Sequence, residues 1–571
     1  MNETLKQIIA EHIEFIYDGK NLELIDEILE LLPDDASVID AHNKWSEKDI
    51  LVITYADSVK ALTEKPLITL KSFFDSYLKE EVNMVHILPF FPYSSDDGFA
   101  VIDYEQVKNE FGGWNEINQL GADYDLMFDL VINHTSSESK WFQGFLKDES
   151  QYKNFYIEIG DDFDISNVIR PRATPLLAEF ETENGTKKVW ATFSHDQLDV
   201  NFANVRVLIE FIKILILYLE NKARLVRLDA VGFLWKESGS TCMHHEKTHR
   251  IIRLLRNIAE AFQPETIIVT ETNVPNQENL SYFGNRNEAH MIYNFSLPPL
   301  ILHALLTGVG SSLKSWLMSM PPAPQGCVFL NFIASHDGIG LRPLEGLVTD
   351  ADTASMVKTL TEFGARINMR KLANGDEKPY EINISLFDAL KGTIEGPDQW
   401  QVERFLCAHI FMLGLEGIPA FYIHSLMGTE SDFEAVKAEG HNRAINRHKW
   451  NYENLEAALG DKQSHHSQIL TSLKKLLQVR KQQPAFHPNA TQFTLHLHGG
   501  LFAFWRQSID RHQSIFCIHN LTNKPEQLSL ADLNLVVTDQ WLDLISGTRF
   551  ESNHEHVDLK PYQCMWITNR F

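Results

Sequence analysis

The sequence predicts an α/β protein built on a closed parallel barrel, (β/α)8 or TIM in type. Three observations carry that reading. Eight short apolar runs recur along the chain, at 51–55, 84–89, 126–133, 225–231, 267–271, 291–295, 328–335 and 418–423. Runs of this length, apolar at successive rather than alternate positions, read as strands buried on both faces. Amphipathic stretches such as 205–219 and 249–262 lie between them, so strand and helix alternate. Three runs close on, or lead straight into, a carboxylate: Arg227-Leu228-Asp229, Val269-Thr270-Glu271 and Ser335-His336-Asp337. A carboxylate at the C-terminal end of such a strand is poorly placed for packing. It is well placed for chemistry, because that edge of a parallel barrel gathers the reacting groups.

Residues 1–47 read as a helical extension. Leu5, Ile8, Ile9, His12, Ile13 and Ile16 share one helical face, as do Leu24, Ile25, Ile28 and Leu31. The barrel occupies 48–489. Two intervals inside it, 134–199 and 341–399, are too long for simple loops and predict insertions that wall and cover the catalytic edge. The second contains Asn374-Gly375-Asp376-Glu377-Lys378-Pro379-Tyr380. From 490 to 571 the pattern changes to short alternating segments at 492–497, 501–506, 514–519 and 565–568, which predict a small all-β domain.

At 571 residues the chain is too long for one core. Its formal charge of −26 speaks against nucleic acid or an anionic membrane as partner, since both need a basic face. The N-terminus has no basic segment followed by an apolar core, so no signal peptide is read there. No apolar run is long enough to span a bilayer. The five cysteines are scattered and odd in number, which suits reduced thiols and a cytoplasmic location.

Three acidic side chains at one rim are the equipment for cleaving a glycosidic bond through an oxocarbenium-like transition state. The segments Asp129-Leu130-Val131-Ile132-Asn133-His134, Arg227-Leu228-Asp229, Glu271-Thr272-Asn273 and His336-Asp337 occur in the order of the four motifs of the α-amylase superfamily (glycoside hydrolase family 13), which the chain resembles. Five further segments resemble its sucrose phosphorylase subfamily. They are His86-Ile87-Leu88-Pro89-Phe90-Phe91 with Asp96-Asp97-Gly98-Phe99, Arg170-Pro171-Arg172, Lys236-Glu237-Ser238-Gly239, and Gly440-His441-Asn442-Arg443-Ala444-Ile445-Asn446-Arg447. The resemblance implies a retaining α-glucoside phosphorylase, in which inorganic phosphate replaces water in the second half-reaction. It implies Asp229 as nucleophile, Arg227 as the cation that lowers its pKa, and Glu271 as general acid, then base. Asp337 would bind the glucose 2- and 3-hydroxyls. His134 and His336 would grip the sugar. Asp96 and Arg443 would form the ion pair that closes the pocket to one glucosyl unit, and Phe99 an apolar wall.

On the acceptor side the resemblance implies Arg172 as the phosphate cation and Tyr380 as a mobile-loop tyrosine. Other positions depart from the sucrose-specific pattern: Glu381 replaces glutamine, Lys378 an aspartate, Ile169 and Phe233 each a tyrosine, and Asn273 a histidine. Losing those polar partners weakens fructose binding. The segments Pro379-Tyr380-Glu381-Ile382-Asn383-Ile384 and Thr270-Glu271-Thr272-Asn273-Val274-Pro275 look more like glucosylglycerate and glucosylglycerol phosphorylases, so a three-carbon acceptor is expected. Lys378 favours anionic glycerate and Glu381 favours glycerol, leaving the two open. The alternatives are a sucrose phosphorylase and an α-glucosidase or transglucosylase without phosphate dependence. A more remote one is a zinc protease, since His245-Glu246-Lys247-Thr248-His249 satisfies H-E-x-x-H without a third ligand in view. No metal or cofactor is expected, only small-molecule α-glucoside and phosphate as ligands, with a monomer or homodimer.

Overall fold

The computed structural model describes residues 3–37, 44–160, 162–172, 174–371, 376–533, 541–550 and 555–569. Asn374 and Gly375 of the second insertion lie outside these residues. The eight apolar runs are the eight barrel strands. They are β1 (Leu51–Thr54), β2 (Met84–Ile87), β3 (Asp125–Val131), β4 (Ala223–Asp229), β5 (Ile267–Thr270), β6 (Met291–Tyr293), β7 (Val328–Phe332) and β8 (Ile418–Tyr422). Each pairs in parallel with the next, and the ring closes where Leu51 of β1 faces Ala420 of β8. Apart from Asp125 and Arg224 at two strand starts, every strand residue is buried, which is why the runs are predominantly apolar.

The helical extension is anchored on the barrel. Helix α1 (Glu3–Ile16) buries Leu5, Ile9, His12, Ile13 and Ile16, and α2 (Leu24–Glu30) buries Leu24, Ile25, Ile28 and Leu29. Two outer helices flank β4: α3 (Val205–Glu220) before it and α4 (Glu246–Phe262) after it. His12 Nε2 lies 2.9 Å from Asn257 Oδ1 of α4, and Glu27 of α2 pairs with Arg206 of α3 at 2.7 Å. The extension therefore braces the two helices around the strand that carries Asp229.

The first insertion holds a hairpin, Leu177–Thr182 with Gly185–Trp190, and an antiparallel pairing of His134–Ser136 with Gln197–Asp199. The second pairs its strands Glu377–Asn383 and Arg366–Lys371 antiparallel, and Ile339–Gly340, just before it, adds a third strand on the other side of Glu377–Asn383. After residue 490, six strands from Thr491–Leu495 to Cys564–Thr568 form an antiparallel sheet. Buried Arg506 fastens this sheet to the barrel, donating to the carbonyls of Gly414 (2.7 Å) and His487 (2.8 Å). Among the described residues, no helix is long and apolar enough to cross a membrane.

Candidate active site

The end of β4 sets the site. Side chains two apart on a strand share a face, so Arg227 and Asp229 both point into the barrel mouth. Arg227 Nη1 donates to Asp229 Oδ1 at 2.7 Å and, more closely, to Asp129 Oδ1 on β3, the residue directly across the ladder. Asp129 is fully buried, and its other oxygen sits 2.6 Å from His86 Nε2 on β2. A buried carboxylate is tolerated only when paired. The chain His86–Asp129–Arg227–Asp229 supplies that pairing and fixes the guanidinium from behind. The sequence shows Asp129 and His86 only as motif letters. The usable signal is a charge inside an otherwise apolar strand.

Glu271 follows β5. Its backbone N–H bonds the Leu228 carbonyl at 3.1 Å, which sets it beside the end of β4. Its Oε2 accepts from the Ala230 N–H at 3.1 Å. Ala230 holds a left-handed conformation (φ 51°), uncommon for a residue with a Cβ, and that turn aims its amide at Glu271. Asp337 follows β7. The turn at 442–446 and the residue after it hold its segment: Asn446 Nδ2 donates to the Asp337 carbonyl (2.9 Å) and Arg447 Nε to the His336 carbonyl (2.9 Å).

Burial pushes Asp229 up to about 8, against the Arg227 charge, with Glu271 and Asp129 adding to the rise. Burial also raises Glu271, with Arg227 opposing and Asp337 contributing. The motif implied that Arg227 lowers the Asp229 pKa. It does so as one contribution, and burial outweighs it. Glu271 raises Asp229, and two buried carboxyls in such contact titrate as a pair holding one proton. Because Arg227 donates to Asp229, the negative charge rests on Asp229 and the proton on Glu271.

His336 stacks on Phe99 at 5.0 Å with ring planes 5° apart, and burial holds its pKa well below the usual range. His134 Nε2 lies 2.9 Å from the Phe99 carbonyl, and burial lowers it to about 4. Both are therefore neutral near pH 7. The expected ion pair between Asp96 and Arg443 is not formed. Arg443 grips Glu381 through Nε (3.1 Å) and Nη2 (2.7 Å) and pairs closely with Asp337 through Nη1. Asp96 instead accepts from Arg172 Nη2 (3.4 Å) and Gln197 Nε2 (3.3 Å). The reason is proximity: Glu381 sits on the insertion wall against the 442–446 turn, with Asn368 Nδ2 (3.0 Å) as its second partner.

A cleft of 370 Å³ opens over Glu271 and Asp337. Arg172, Phe233, Asn273, Tyr380, Glu381 and Arg443 line it, together with Ile169. The walls approach closely at Gly340, where a Cβ would lie 2.8 Å from Asn273 Nδ2. Lys378 is not among the lining residues. Its Nζ pairs with Asp350 at 2.9 Å, outside the cleft. Three further arginines do line it: Arg170, Arg342 and Arg370. The sequence alone assigns them no role, since single arginines scattered over the two insertions carry no periodic signal. Lys378→Ala is expected to leave kcat/KM unchanged within about twofold, because an exposed pair contributes little. Steady-state kinetics with the glucosyl donor check this.

His245 and His249 do not face one ion. His245 caps the start of α4, its Nδ1 accepting from the Lys247 N–H (3.1 Å) and its Nε2 lying 2.5 Å from Glu237. His249 Nδ1 pairs with Glu288 at 2.6 Å. Among the described residues, neither belongs to a grouping of three ligands close enough to hold a metal.

Residues 75–324 match the α-amylase catalytic domain. Glucosylglycerate phosphorylase of Allomeiothermus silvanus is 42% identical over 99% of this chain and 98% of its own length. The Escherichia coli protein of the same name is 38% identical over 99% of this chain and all of its own length. The crystal structure of sucrose 6F-phosphate phosphorylase from Thermoanaerobacter thermosaccharolyticum superposes with a TM-score of 0.72 at 24% identity, covering 90% of this chain and 98% of that one, a likeness of fold. With identity of that order running from end to end, the chain belongs to the α-amylase family, among its α-glucoside phosphorylases.

Proposed function

We propose that this enzyme phosphorolyses 2-O-α-D-glucosylglycerate with retention, releasing α-D-glucose 1-phosphate and glycerate. The observation that carries the anionic acceptor is the charge of the cleft. Arg170, Arg172, Arg342, Arg370 and Arg443 line it against Glu271, Asp337 and Glu381, in a chain whose net charge is −26. A cationic recess in an acidic protein concentrates anions, and both the acceptor and phosphate are anions. The conflict between Lys378 and Glu381 falls away. Lys378 pairs outside the cleft, and the Glu381 charge is matched by Arg443. The names of the end-to-end relatives point the same way.

In the first step Asp229 attacks the anomeric carbon. Glu271 gives its proton to the departing glycerate oxygen, leaving a β-glucosyl ester on Asp229. In the second, hydrogen phosphate attacks that carbon from the acceptor side, Glu271 recovers the phosphate proton, and the ester bond breaks. Arg172 would hold phosphate, and Asp337 the glucosyl hydroxyls once the sugar displaces Arg443 from it. Tyr380, Asn273 and Phe233 would shape the acceptor space. The reading needs no resident metal or cofactor, and places the enzyme in the cytoplasm as a monomer or homodimer acting on small molecules. All five cysteines are unpaired, which supports a reducing compartment.

The test incubates glucosylglycerate, glucosylglycerol and sucrose separately, with and without phosphate. Phosphate-dependent glucose 1-phosphate, formed with the highest kcat/KM from glucosylglycerate, is the expected result. Free glucose appearing at a rate indifferent to phosphate would overturn the reading in favour of hydrolysis.

A further inference from the structure

The arginines of the cleft differ in how their donors are engaged. Arg443 is committed to Glu381 and Asp337. Arg172 donates to Asp96 and lies 5.6 Å over the Phe193 ring. Arg342 reaches Glu278 at 3.9 Å, and Arg370 Nη2 donates to Glu345 at 2.7 Å. Among the described residues, Arg170 alone of the five makes no ion pair and no hydrogen bond, yet its Nε and Nη2 are buried. Arg370 Nε, on the opposite insertion, is likewise buried and without a partner.

A buried donor without a partner is rare, because the group gives up water and gains nothing. The Nε and Nη2 groups are not any two donors. They form one edge of the guanidinium plane, with N–H bonds side by side, spaced to meet the two oxygens of a carboxylate. The Arg370 guanidinium is oriented by Glu345 through Nη2, which leaves its Nε as a buried donor free for a further partner.

We propose that Arg170 and Arg370 clamp the carboxylate of the three-carbon acceptor: Arg170 takes both oxygens along its Nε–Nη2 edge, and Arg370 closes from the facing insertion. This rests on the functional reading above and deepens it. It assigns acceptor selectivity to groups distinct from Arg172, the cation read as facing phosphate. The apolar Ile169 and Phe233 then bound the space on either side of the short carbon chain, and a neutral acceptor leaves the Arg170 edge unmatched. That is how a polar site rejects an analogue lacking the recognised group.

The test uses full-length wild type, Arg170→Gln, Arg170→Lys and Arg370→Gln. Each is assayed in synthesis from glucose 1-phosphate with D-glycerate or glycerol, and in phosphorolysis for its KM for phosphate. Wild type should prefer glycerate. Arg170→Gln should lower the glycerate-to-glycerol ratio of kcat/KM by about 10- to 100-fold, mainly through KM for glycerate, with a smaller change in KM for phosphate. Arg170→Lys should recover part of the ratio, since it restores charge without the fork. Arg370→Gln should move the ratio in the same direction by less. A wild type that prefers glycerate, joined to an Arg170→Gln variant that keeps the preference, overturns the clamp and leaves the functional reading standing. Equal losses for glycerate and glycerol, or a KM for phosphate that rises as much as that for glycerate, also overturn it. A wild type indifferent to acceptor charge removes both.

Discussion

Asp229→Ala is expected to reduce phosphorolysis to below about one ten-thousandth of wild type, the scale on which an enzyme depends on its covalent nucleophile. The loss should fall on kcat, because Asp229 acts on the bond being broken and not on the acceptor. The missing carboxylate leaves room on one face of the sugar. High azide, given with an activated α-glucosyl fluoride, should enter there and yield β-glucosyl azide, which carbon NMR identifies. A product of retained configuration would mean that another group is the nucleophile. Asp229→Asn should also change stability in a pH-dependent way. The pair that Asp229 forms with Glu271 keeps one proton up to about 8 in the folded protein, whereas carboxyls of an unfolded chain lose theirs at roughly 4. The folded state therefore binds this proton more tightly, and its contribution to stability is full below pH ~4 and lost as pH rises through about 8. An amide at 229 breaks the pair that holds this proton. The Tm of Asp229→Asn relative to wild type should therefore rise steadily from pH 5 to pH 9 in calorimetry. A difference that stays flat would place the carboxyl in an environment unlike this one.

The barrel was legible because its strands are buried on both faces, and such strands are apolar at most positions. The candidate carboxylates were legible as the points where those runs stop. The acceptor wall was less so, for an identifiable reason. Strict alternation along the strand Glu377–Asn383 would put Lys378 and Tyr380 on the same face. The ladder shifts between Asn368 and Met369: Asn368 faces Glu381 and Met369 faces Pro379, so Tyr380 has no opposite number. One extra residue turns Tyr380 and Glu381 into the cleft and leaves Lys378 outside it. The sequence contains no mark of that shift. Arg443 is similar. Its motif says that it seeks a carboxylate, and three are within reach of the turn that carries it. Which of them it takes depends on where the second insertion delivers Glu381. Arg170 and Arg370 were missed because their importance lies in donors left unmatched, a property that exists only in three dimensions.

Glu271→Gln separates the two halves of the reaction. With glucosylglycerate as donor, kcat should fall by about 10²- to 10⁴-fold, the usual contribution of a positioned general acid. Fluoride leaves without a proton, so α-glucosyl fluoride should form the glucosyl ester at a rate much closer to wild type. The fate of that ester depends on the entering nucleophile. Hydrogen phosphate loses the base that takes its proton, whereas azide needs none, so azide should rescue turnover and give α-glucosyl azide. The same reagent then yields opposite anomers from Asp229→Ala and Glu271→Gln, as the proposed mechanism requires of two carboxyls on opposite faces of the reacting carbon. The pH profile carries independent information. Burial keeps the Glu271 carboxyl protonated above the ordinary carboxylate range, and kcat/KM for glucosylglycerate should decline at alkaline pH as Glu271 loses that proton. In Glu271→Gln assayed with the fluoride, that alkaline decline should vanish, since neither the amide nor the leaving group titrates there. An alkaline limb that persists unchanged in the variant would assign the proton to some other group and remove Glu271 as the acid.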